Sequence, residues 1–224
     1  MCSVRTSAAL SESDDDPRQW TVVVPVKPGG MAKSRLSEFP AQQRSRFASA
    51  FALDALDAML ASEAVSRLIV VGGTDGEGVL PMEYATSDER LHVTTDPGHG
   101  LTEAIDAGLA LADPSEPVAI MVADLPALRA MEVTVALTAG AGHRFSLICD
   151  RVGTGSTMLM GRRRDDLHPH FGVRSRARHV AAGAVDLVDL DVPGLRCDVD
   201  TAVDLWDARR LGLGPHTHEV LSRP

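Results

Sequence analysis

Two aspartates stand two residues apart in the stretch LRCDVDT, residues 195–201, and their type and spacing could do chemistry. In extended chain the side chains of residues i and i+2 point to the same side, so Asp198 and Asp200 are predicted to face one point. Adjacent carboxylates repel unless a cation lies between them, and Mg²⁺ prefers oxygen ligands while keeping positions open for phosphate. The alternative is that Asp200 only caps the apolar helical run at 202–211 and that Asp198 is solvated. These residues alone leave both interpretations open.

A basic loop follows the first apolar run of the chain, residues 21–26. The loop, residues 27–36, contains two glycines and the three cations Lys27, Lys33 and Arg35, with no acidic residue. Between a strand and a helix, such a loop exposes backbone N–H groups that attract phosphate. It matches neither the Walker P-loop nor Gly-x-Gly-x-x-Gly, and an ordinary solvated turn is the alternative interpretation.

A third carboxylate, Asp124, ends the apolar run at 118–122 and precedes Leu-Pro. At the carboxyl end of a central strand, a carboxylate faces the ligand crevice of an open α/β sheet and could hold a metal ion there. A helix N-cap is the alternative role for this residue.

The region 162–179 contains six arginines, a high local concentration in a chain of net charge −9. Guanidinium groups are well suited to bind phosphate or carboxylate, although a solvated helical face would have the same composition. Within this region Ser175, which follows Gly172, could cap a helix or bond a ligand phosphate. The histidines of the region match no zinc-ligand pattern, and we interpret them as structural or anion-contacting.

Alternating strands and helices must position these residues. Through about the first 140 residues the pattern alternates in this way, which predicts a parallel sheet with right-handed crossovers. The predicted strands are 21–26, 67–71, 91–95, 118–122, 145–149 and 185–190, with a polar crossing between two paired strands at 150–160. The predicted helices are 40–62, 101–112, 175–182 and 202–211. The basic loop, the turn at 96–100 and Asp124 are therefore expected to share one edge of the sheet.

The fold class predicted is a single-domain, Rossmann-like α/β fold whose mostly parallel central sheet is flanked by helices. We expect residues 1–19 to form a disordered acidic lead-in, residues 20–213 to form the folded domain, and residues 214–224 to form a loose C-terminal tail.

Composition excludes several function classes. A net charge of −9 and an aromatic content of 4% argue against a nucleic-acid partner, which would favour a basic surface or aromatic stacking platforms. Three cysteines without paired spacing indicate neither a disulfide framework nor a zinc site and suit a reducing cytosol. No apolar run reaches the roughly 18 residues of a membrane span, and the N-terminus does not resemble a signal peptide. A cytoplasmic protein is therefore expected.

Five motifs occur in an order that resembles a known family: VPVKP…AKSRL (24–36), ADLPAL (123–128), DRVGTGS (150–156), HFGVRSRARH (170–179) and LRCDVDT (195–201). They resemble the phosphoenolpyruvate/2-phospho-L-lactate guanylyltransferases of coenzyme F-420 biosynthesis, over about residues 20–215. The resemblance implies a molybdenum-cofactor guanylyltransferase-like nucleotidyltransferase fold, related to the nucleotide-diphospho-sugar transferases. It also implies an enzyme that joins GTP to a three-carbon phosphate, releases pyrophosphate and passes its product to the next F-420 pathway transferase.

The resemblance further implies three groups of site residues and Mg²⁺ as the cofactor. The metal-binding and catalytic group is Asp124, Asp198 and Asp200; the phosphoenolpyruvate-binding group is Ser156, Gly172 and Ser175; the nucleotide-binding group is Lys27, Lys33 and Arg35. Relatives often have Thr at position 156, and Ser156 keeps the hydroxyl. Thr102 stands where relatives commonly have Asn, which leaves base or ribose recognition open.

Several functions remain open on the sequence alone. The acceptor could be phosphoenolpyruvate, 2-phospho-L-lactate or 3-phosphoglycerate. A nucleotidyltransferase for another acceptor, such as a molybdopterin, or for another base is a rival. A non-catalytic GTP-binding regulator on the same fold is a further alternative, against which the three aspartates argue.

Overall fold

The computed structural model describes residues 19–26, 33, 35–72 and 80–222. The predicted lead-in, apart from residue 19, and the glycines and Lys27 of the basic loop lie outside these residues. The elements are β1 (Trp20–Pro25), α1 (Ala41–Leu60), β2 (Val65–Val71), α2 (Met82–Ala85), β3 (Leu91–Thr94), α3 (Leu101–Leu109), β4 (Val118–Met121), α4 (Ala130–Gly140), β5 (Phe145–Cys149), β6 (Ser156–Gly161), a 3₁₀ turn (Arg164–Asp166), α5 (Ser175–Ala181), β7 (Val185–Asp186), α6 (Ala202–Leu211) and α7 (Pro215–Ser222).

The strands form one seven-stranded sheet in the order β3-β2-β1-β4-β6-β5-β7. The pairs β2–β3, β1–β2, β1–β4 and β5–β7 are parallel. Strand β6 runs antiparallel to both of its neighbours, β4 and β5, because β5 returns to β6 through the short polar crossing at 150–155. The predicted α/β fold with a mostly parallel sheet and the predicted strand pair are both confirmed.

Helices cover both faces of the sheet, and β1 shows the two layers most clearly. Val22 and Val24 are buried with residues of α1 and α4, whereas Val23 is buried on the other face with Ala104 and Ile105 of α3. This alternation follows from the two-residue period of a strand. A strand buried on both faces must be apolar throughout, which explains the run of β-branched residues that predicts it.

Helix α3 approaches the sheet closely at Gly108. A Cβ atom added there would collide with Val23 Cγ1 and lie 2.9 Å from Val71 Cγ2, so only glycine allows the observed distance between helix and sheet.

Two predictions about the C-terminal part of the chain are wrong. The last strand is Val185–Asp186 and does not extend to 190, because the carbonyls of Leu187 and Val188 accept hydrogen bonds from the Arg196 guanidinium, at 2.8 and 3.1 Å, and the chain turns away. The predicted loose tail contains α7, in which Val220 is buried.

Two further predictions concern cysteines and membranes. Cys149 and Cys197 are free and buried, while Cys2 lies outside the described residues. None of the helices within the described ranges combines the length and apolar character needed to cross a bilayer.

Candidate functional site

Lys33 connects the basic loop to two of the three aspartates. Its Nζ donates to Asp124 Oδ2 at 2.6 Å and to Asp200 Oδ1 at 3.1 Å. The Lys33 side chain is only 8% exposed, whereas those of Asp124 and Asp200 are 30% and 47% exposed, so the cluster opens to solvent on its carboxylate side. Arg35 NH1 lies 3.6 Å from Asp200 Oδ2. Burial by itself would lower the pKa of Lys33, but the charges of Asp124 and Asp200 and their hydrogen bonds raise it above its ordinary value.

A backbone hydrogen bond brings the two aspartate segments together. The N–H of Val199 donates to the carbonyl of Asp124 at 3.0 Å, just beyond the carboxyl end of β4. Val199 is fully buried in the cluster that also contains Leu36, which follows Arg35. Because Val199 points inward in an extended segment, its neighbours Asp198 and Asp200 point outward to the same side. Packing of Leu36 and Val199 therefore fixes the basic loop and the aspartate pair against each other.

Helix capping does not account for these aspartates. Thr201 is the N-cap of α6, where its hydroxyl accepts from the N–H of Asp204 and the Asp204 carboxylate accepts from the N–H of Thr201. Arg129 is the N-cap position of α4, five residues after Asp124. The capping alternatives considered for Asp200 and Asp124 are therefore wrong.

Asp198 is a strongly perturbed carboxylate. Burial, together with the negative charges of Asp124, Asp150 and Asp200, raises the pKa of Asp198 to about 7. A carboxyl group in such surroundings becomes fully ionised when a cation approaches it. The structure thus brings Asp198 into the electrostatic neighbourhood of the other two predicted ligands.

The donor set fits a hard divalent cation. Asp124 Oδ1 is buried and has no hydrogen-bond partner, and the nearby atoms are carboxylate oxygens of the kind that Mg²⁺ prefers. Within the described part of the chain, no group of three or more His, Cys, Asp or Glu side chains is already arranged around a single ion position. Lys33 Nζ lies between Asp124 and Asp200, where it supplies positive charge to both.

The predicted acceptor residues form a second cluster. Ser156 begins β6, and its Oγ lies 3.0 Å from Nδ1 of His179, a fully buried residue of α5. Ser175, also buried, begins α5, and its N–H donates to the carbonyl of Gly172 at 3.0 Å. Gly172 has φ +102°, a conformation that side chains other than glycine's rarely adopt. His179, which the sequence predicts to be structural or anion-contacting, bonds to protein groups through both ring nitrogens.

Asp150 is a site residue that the sequence analysis did not single out. It follows β5, and its carboxylate accepts from the N–H groups of Thr154 and Gly155 at 2.8 and 2.7 Å, which folds the crossing between β5 and β6 into a compact turn. A Cβ on Gly155 would lie 2.6 Å from Asp150 Oδ2 and 3.7 Å from Ser175 Oγ. Asp150 thus lies near the acceptor cluster, and its charge also acts on Asp198. An aspartate at a strand end before Gly-x-Gly was the available signal.

Two arginines of α5, in the region 162–179, bond to other groups of the protein. Arg176 donates to Asp186 at 2.6 Å and to the Gly153 carbonyl at 3.0 Å, and Arg178 donates to the Phe171 carbonyl at 3.0 Å. Arg174, at the N-cap position of α5, is exposed and has a backbone φ of 57°. A non-glycine residue in this left-handed region is strained and indicates a local functional or structural constraint.

A mostly parallel sheet with carboxylates and a basic loop at the carboxyl ends of its strands is typical of nucleotide-binding α/β proteins. Solved structures share this fold. A protein from Desulfovibrio desulfuricans G20, provisionally described as a nucleotide-diphospho-sugar transferase, superposes with a TM-score of 0.66 at 19% identity and covers 92% of this chain and 94% of its own. Rv0371C from Mycobacterium tuberculosis H37Rv, solved with manganese, gives 0.52 at 20% identity over 87% and 97%.

Sequence comparison narrows the class to a family. The family model described as "Guanylyl transferase CofC like" matches residues 20–223. The phosphoenolpyruvate guanylyltransferase of Streptomyces scabiei (strain 87.22) is 43% identical over 213 residues, which are 92% of this chain and 97% of that relative. The chain belongs to the CofC-like guanylyl transferase family and is a nucleotidyltransferase, as its motifs predict.

Proposed function

We propose that the chain transfers GMP from GTP to phosphoenolpyruvate, forming enolpyruvyl-2-diphospho-5'-guanosine and pyrophosphate in coenzyme F-420 biosynthesis. The observation that carries the proposal is the convergence of Lys33 of the basic loop with Asp124 and Asp200 in a member of the guanylyl transferase family. The relatives named as phosphoenolpyruvate guanylyltransferases supply the acceptor. We place the reaction in the cytoplasm and expect the next F-420 pathway transferase to consume the product, as the resemblance implies.

The reaction needs charge neutralisation more than proton transfer. A phosphate oxygen of phosphoenolpyruvate attacks the α-phosphorus of GTP, the bond between the α-phosphorus and the bridging oxygen breaks, and pyrophosphate leaves with that electron pair. A phosphate monoester has a second pKa of about 6, so its nucleophilic oxygen is already deprotonated at pH 7. A general base is therefore unnecessary, which agrees with a site built from carboxylates and cations.

We assign the nucleotide phosphates to Lys33 and Arg35, with Lys27 of the same loop, which lies outside the described residues. Lys33 and Arg35 both lie beside Asp200. Each can exchange this carboxylate for a phosphate oxygen, because carboxylate and phosphate oxygens are both anionic hydrogen-bond acceptors. The acceptor is assigned to Ser156, Gly172 and Ser175. Asp150 orders the turn that leads into Ser156.

We assign a divalent cation, Mg²⁺ by preference of oxygen donors, to Asp124, Asp198 and Asp200. When bound, such an ion supplies positive charge to the reacting phosphates. The buried and unpartnered Asp124 Oδ1 and the raised pKa of Asp198, caused by burial and by neighbouring carboxylates, support this assignment.

Replacement of Asp198 tests the assignment. Asp198→Asn removes one charge with little change of shape, so we expect pyrophosphate release to fall at least about 10³-fold while the circular dichroism spectrum stays unchanged. Asp189→Asn, at an exposed aspartate earlier in the chain, is the matched control and should keep wild-type turnover. Near-normal turnover by Asp198→Asn would refute the metal assignment.

The acceptor is tested by mass spectrometry of the products. GTP is incubated with Mg²⁺ and with phosphoenolpyruvate, 2-phospho-L-lactate or 3-phosphoglycerate in turn, and coupling to the next pathway enzyme captures a short-lived product. We expect the highest kcat/KM with phosphoenolpyruvate. Preference for another acceptor would correct the substrate, and tight GTP binding without pyrophosphate for any acceptor would favour a non-catalytic regulator.

A further inference from the structure

The buried imidazole of His179 contacts both segments that form the acceptor cluster, strand β6 and the turn that contains Gly172. Nδ1 of His179 lies 3.0 Å from Ser156 Oγ on β6, and Nε2 of the same ring lies 2.8 Å from the backbone N of His170, two residues before Gly172. The ring is completely buried and packs edge-on against Phe171, with ring centroids 5.2 Å apart. His179 itself does not need to reach a ligand to influence the site.

The backbone partner decides which nitrogen carries the proton. A backbone N–H can only donate, so Nε2 of His179 must accept and is unprotonated. A neutral imidazole then has its proton on Nδ1, and this N–H donates to Ser156 Oγ. Burial lowers the pKa of His179 to about 4, assisted by the nearby positive charges of His170 and Arg178, so the neutral form persists near pH 7.

This tautomer fixes the direction of the Ser156 hydroxyl. Since Oγ accepts from His179, the hydroxyl hydrogen does not point at the ring. Among the described residues the structure gives this side chain no second hydrogen bond. The hydrogen is therefore available to a ligand oxygen, and an anionic oxygen, which can only accept, is its natural partner.

We propose that His179 is a positioning residue that makes Ser156 an obligate hydrogen-bond donor to an anionic oxygen of the acceptor and anchors the Gly172 turn opposite it. The proposal rests on the proposed function, because it refers to the same acceptor. It goes beyond that function by assigning the polarity of the Ser156 contact. A hydroxyl with the opposite polarity would repel a phosphate or carboxylate oxygen instead of binding it.

The tautomer is measurable without turnover. In the full chain labelled with ¹⁵N-histidine, the His179 signals, assigned by their loss in His179→Gln, should show a protonated Nδ1 and an unprotonated Nε2 from pH 6 to 8. A protonated Nε2, or an imidazolium in this range, overturns the proposal. This measurement decides the tautomer even if the wild-type chain releases no pyrophosphate with any acceptor, which would refute the proposed function alone.

Kinetics test whether His179 acts through Ser156. We expect Ser156→Ala to raise the acceptor KM about 10- to 100-fold and to leave the GTP KM within about twofold, whereas Ser156→Thr, which keeps the hydroxyl, stays near wild type. His179→Phe should act like Ser156→Ala, and His179→Gln, which keeps a donor and an acceptor, should recover part of the loss.

A double-mutant cycle separates positioning from general structural damage. In the Ser156→Ala background, His179→Gln should raise the acceptor KM by a smaller factor than in the wild type, because the hydroxyl that it orients is already gone and only the contact to the Gly172 turn remains to be weakened. Multiplicative effects of the two substitutions, or equal changes in the KM values for GTP and acceptor, overturn the proposal. The His179→Gln arm serves if His179→Phe fails to fold.

Discussion

At the scale of single residues, Lys33 is the most consequential side chain of the site. Its ammonium group lies where two carboxylates converge and is shielded from water on the protein side. Its backbone has φ 61°, in the left-handed region, so the chain accepts local strain to direct this side chain inward. The ammonium therefore compensates the carboxylates in the absence of a divalent ion.

Replacement of Lys33 should make the stability of the chain depend on metal. Without nucleotide, the melting temperature of the wild type should change little between EDTA and Mg²⁺, because Lys33 already neutralises Asp124 and Asp200. Lys33→Met leaves these carboxylates uncompensated, and we expect a loss of about 1–3 kcal/mol that Mg²⁺ alone largely restores. Arg35→Met is the control, since the Arg35 side chain is 74% exposed and should matter much less. Equal responses of wild type and Lys33→Met to Mg²⁺ would contradict this prediction.

At the scale of elements, α7 depends on a partner far away in the chain. Both oxygens of Asp54 on α1 accept backbone hydrogen bonds from the first turn of α7, from His216 N and Thr217 N, each at 2.9 Å. Asp57, one turn later on α1, lies 3.0 Å from His216 Nε2 and accepts from Tyr84 OH at 2.7 Å. Burial raises the pKa of Asp54, although the bonds from Thr217 and His216 oppose that rise. Helix α1 thus supplies the N-terminal cap that α7 lacks in its own sequence.

Loss of this cap should destabilise the chain measurably. Asp54→Ala leaves two buried N–H groups without an acceptor, and we expect the free energy of unfolding to fall by about 2 kcal/mol, with faster proteolysis of α7. Urea denaturation followed by circular dichroism measures the effect. Asp106→Ala, at an exposed helical position of α3, should change stability by less than about 0.5 kcal/mol. A change that small for Asp54→Ala would show that the cap is unimportant.

What the sequence predicts, and what it cannot, follows from the range of the interactions involved. Strand β1 is predictable because burial on both faces requires a continuous apolar run, and the edge shared by the basic loop and Asp124 follows from parallel topology. The length of β7 and the existence of α7 are not, because they depend on side chains outside those elements: Arg196, nine residues beyond Leu187, and Asp54, 163 residues before Thr217. The same limit applies to His179, whose role requires knowledge of both ring partners.

At the scale of the whole molecule, charge is distributed unevenly. The chain has a net charge of −9, yet its proposed substrates are polyanions. Arg151 donates to Asp204 at 3.0 Å and lies 3.0 Å from Asp207, and thereby ties the turn after β5 to α6. Cations are placed locally while the remaining surface stays acidic.

Acid should weaken the fold through His179. The pKa of His179 is about 4 in the folded chain, against 6.5 for an ordinary histidine, so the unfolded chain binds the extra proton first as pH falls. This contribution is fully present above pH 6.5 and is lost towards pH 4, by up to about 3 kcal/mol. Carboxylates titrate in the same window, and His170 and Arg178 add positive charge near the ring. Unfolding free energies at pH 7, 6, 5 and 4 should therefore fall less steeply for His179→Gln than for wild type, and identical slopes would contradict the prediction.

The two borders of the sheet have a consequence for how copies of the chain meet. The border strands are β3, with four residues, and β7, with only two. A neighbouring copy that added its own strand to either border would gain few hydrogen bonds, because so little unpaired backbone is offered. Short edge strands therefore disfavour intermolecular strand pairing in a sheet whose central strands are strongly apolar. At high protein concentration, this geometry and the net negative charge both act against association through the sheet edges.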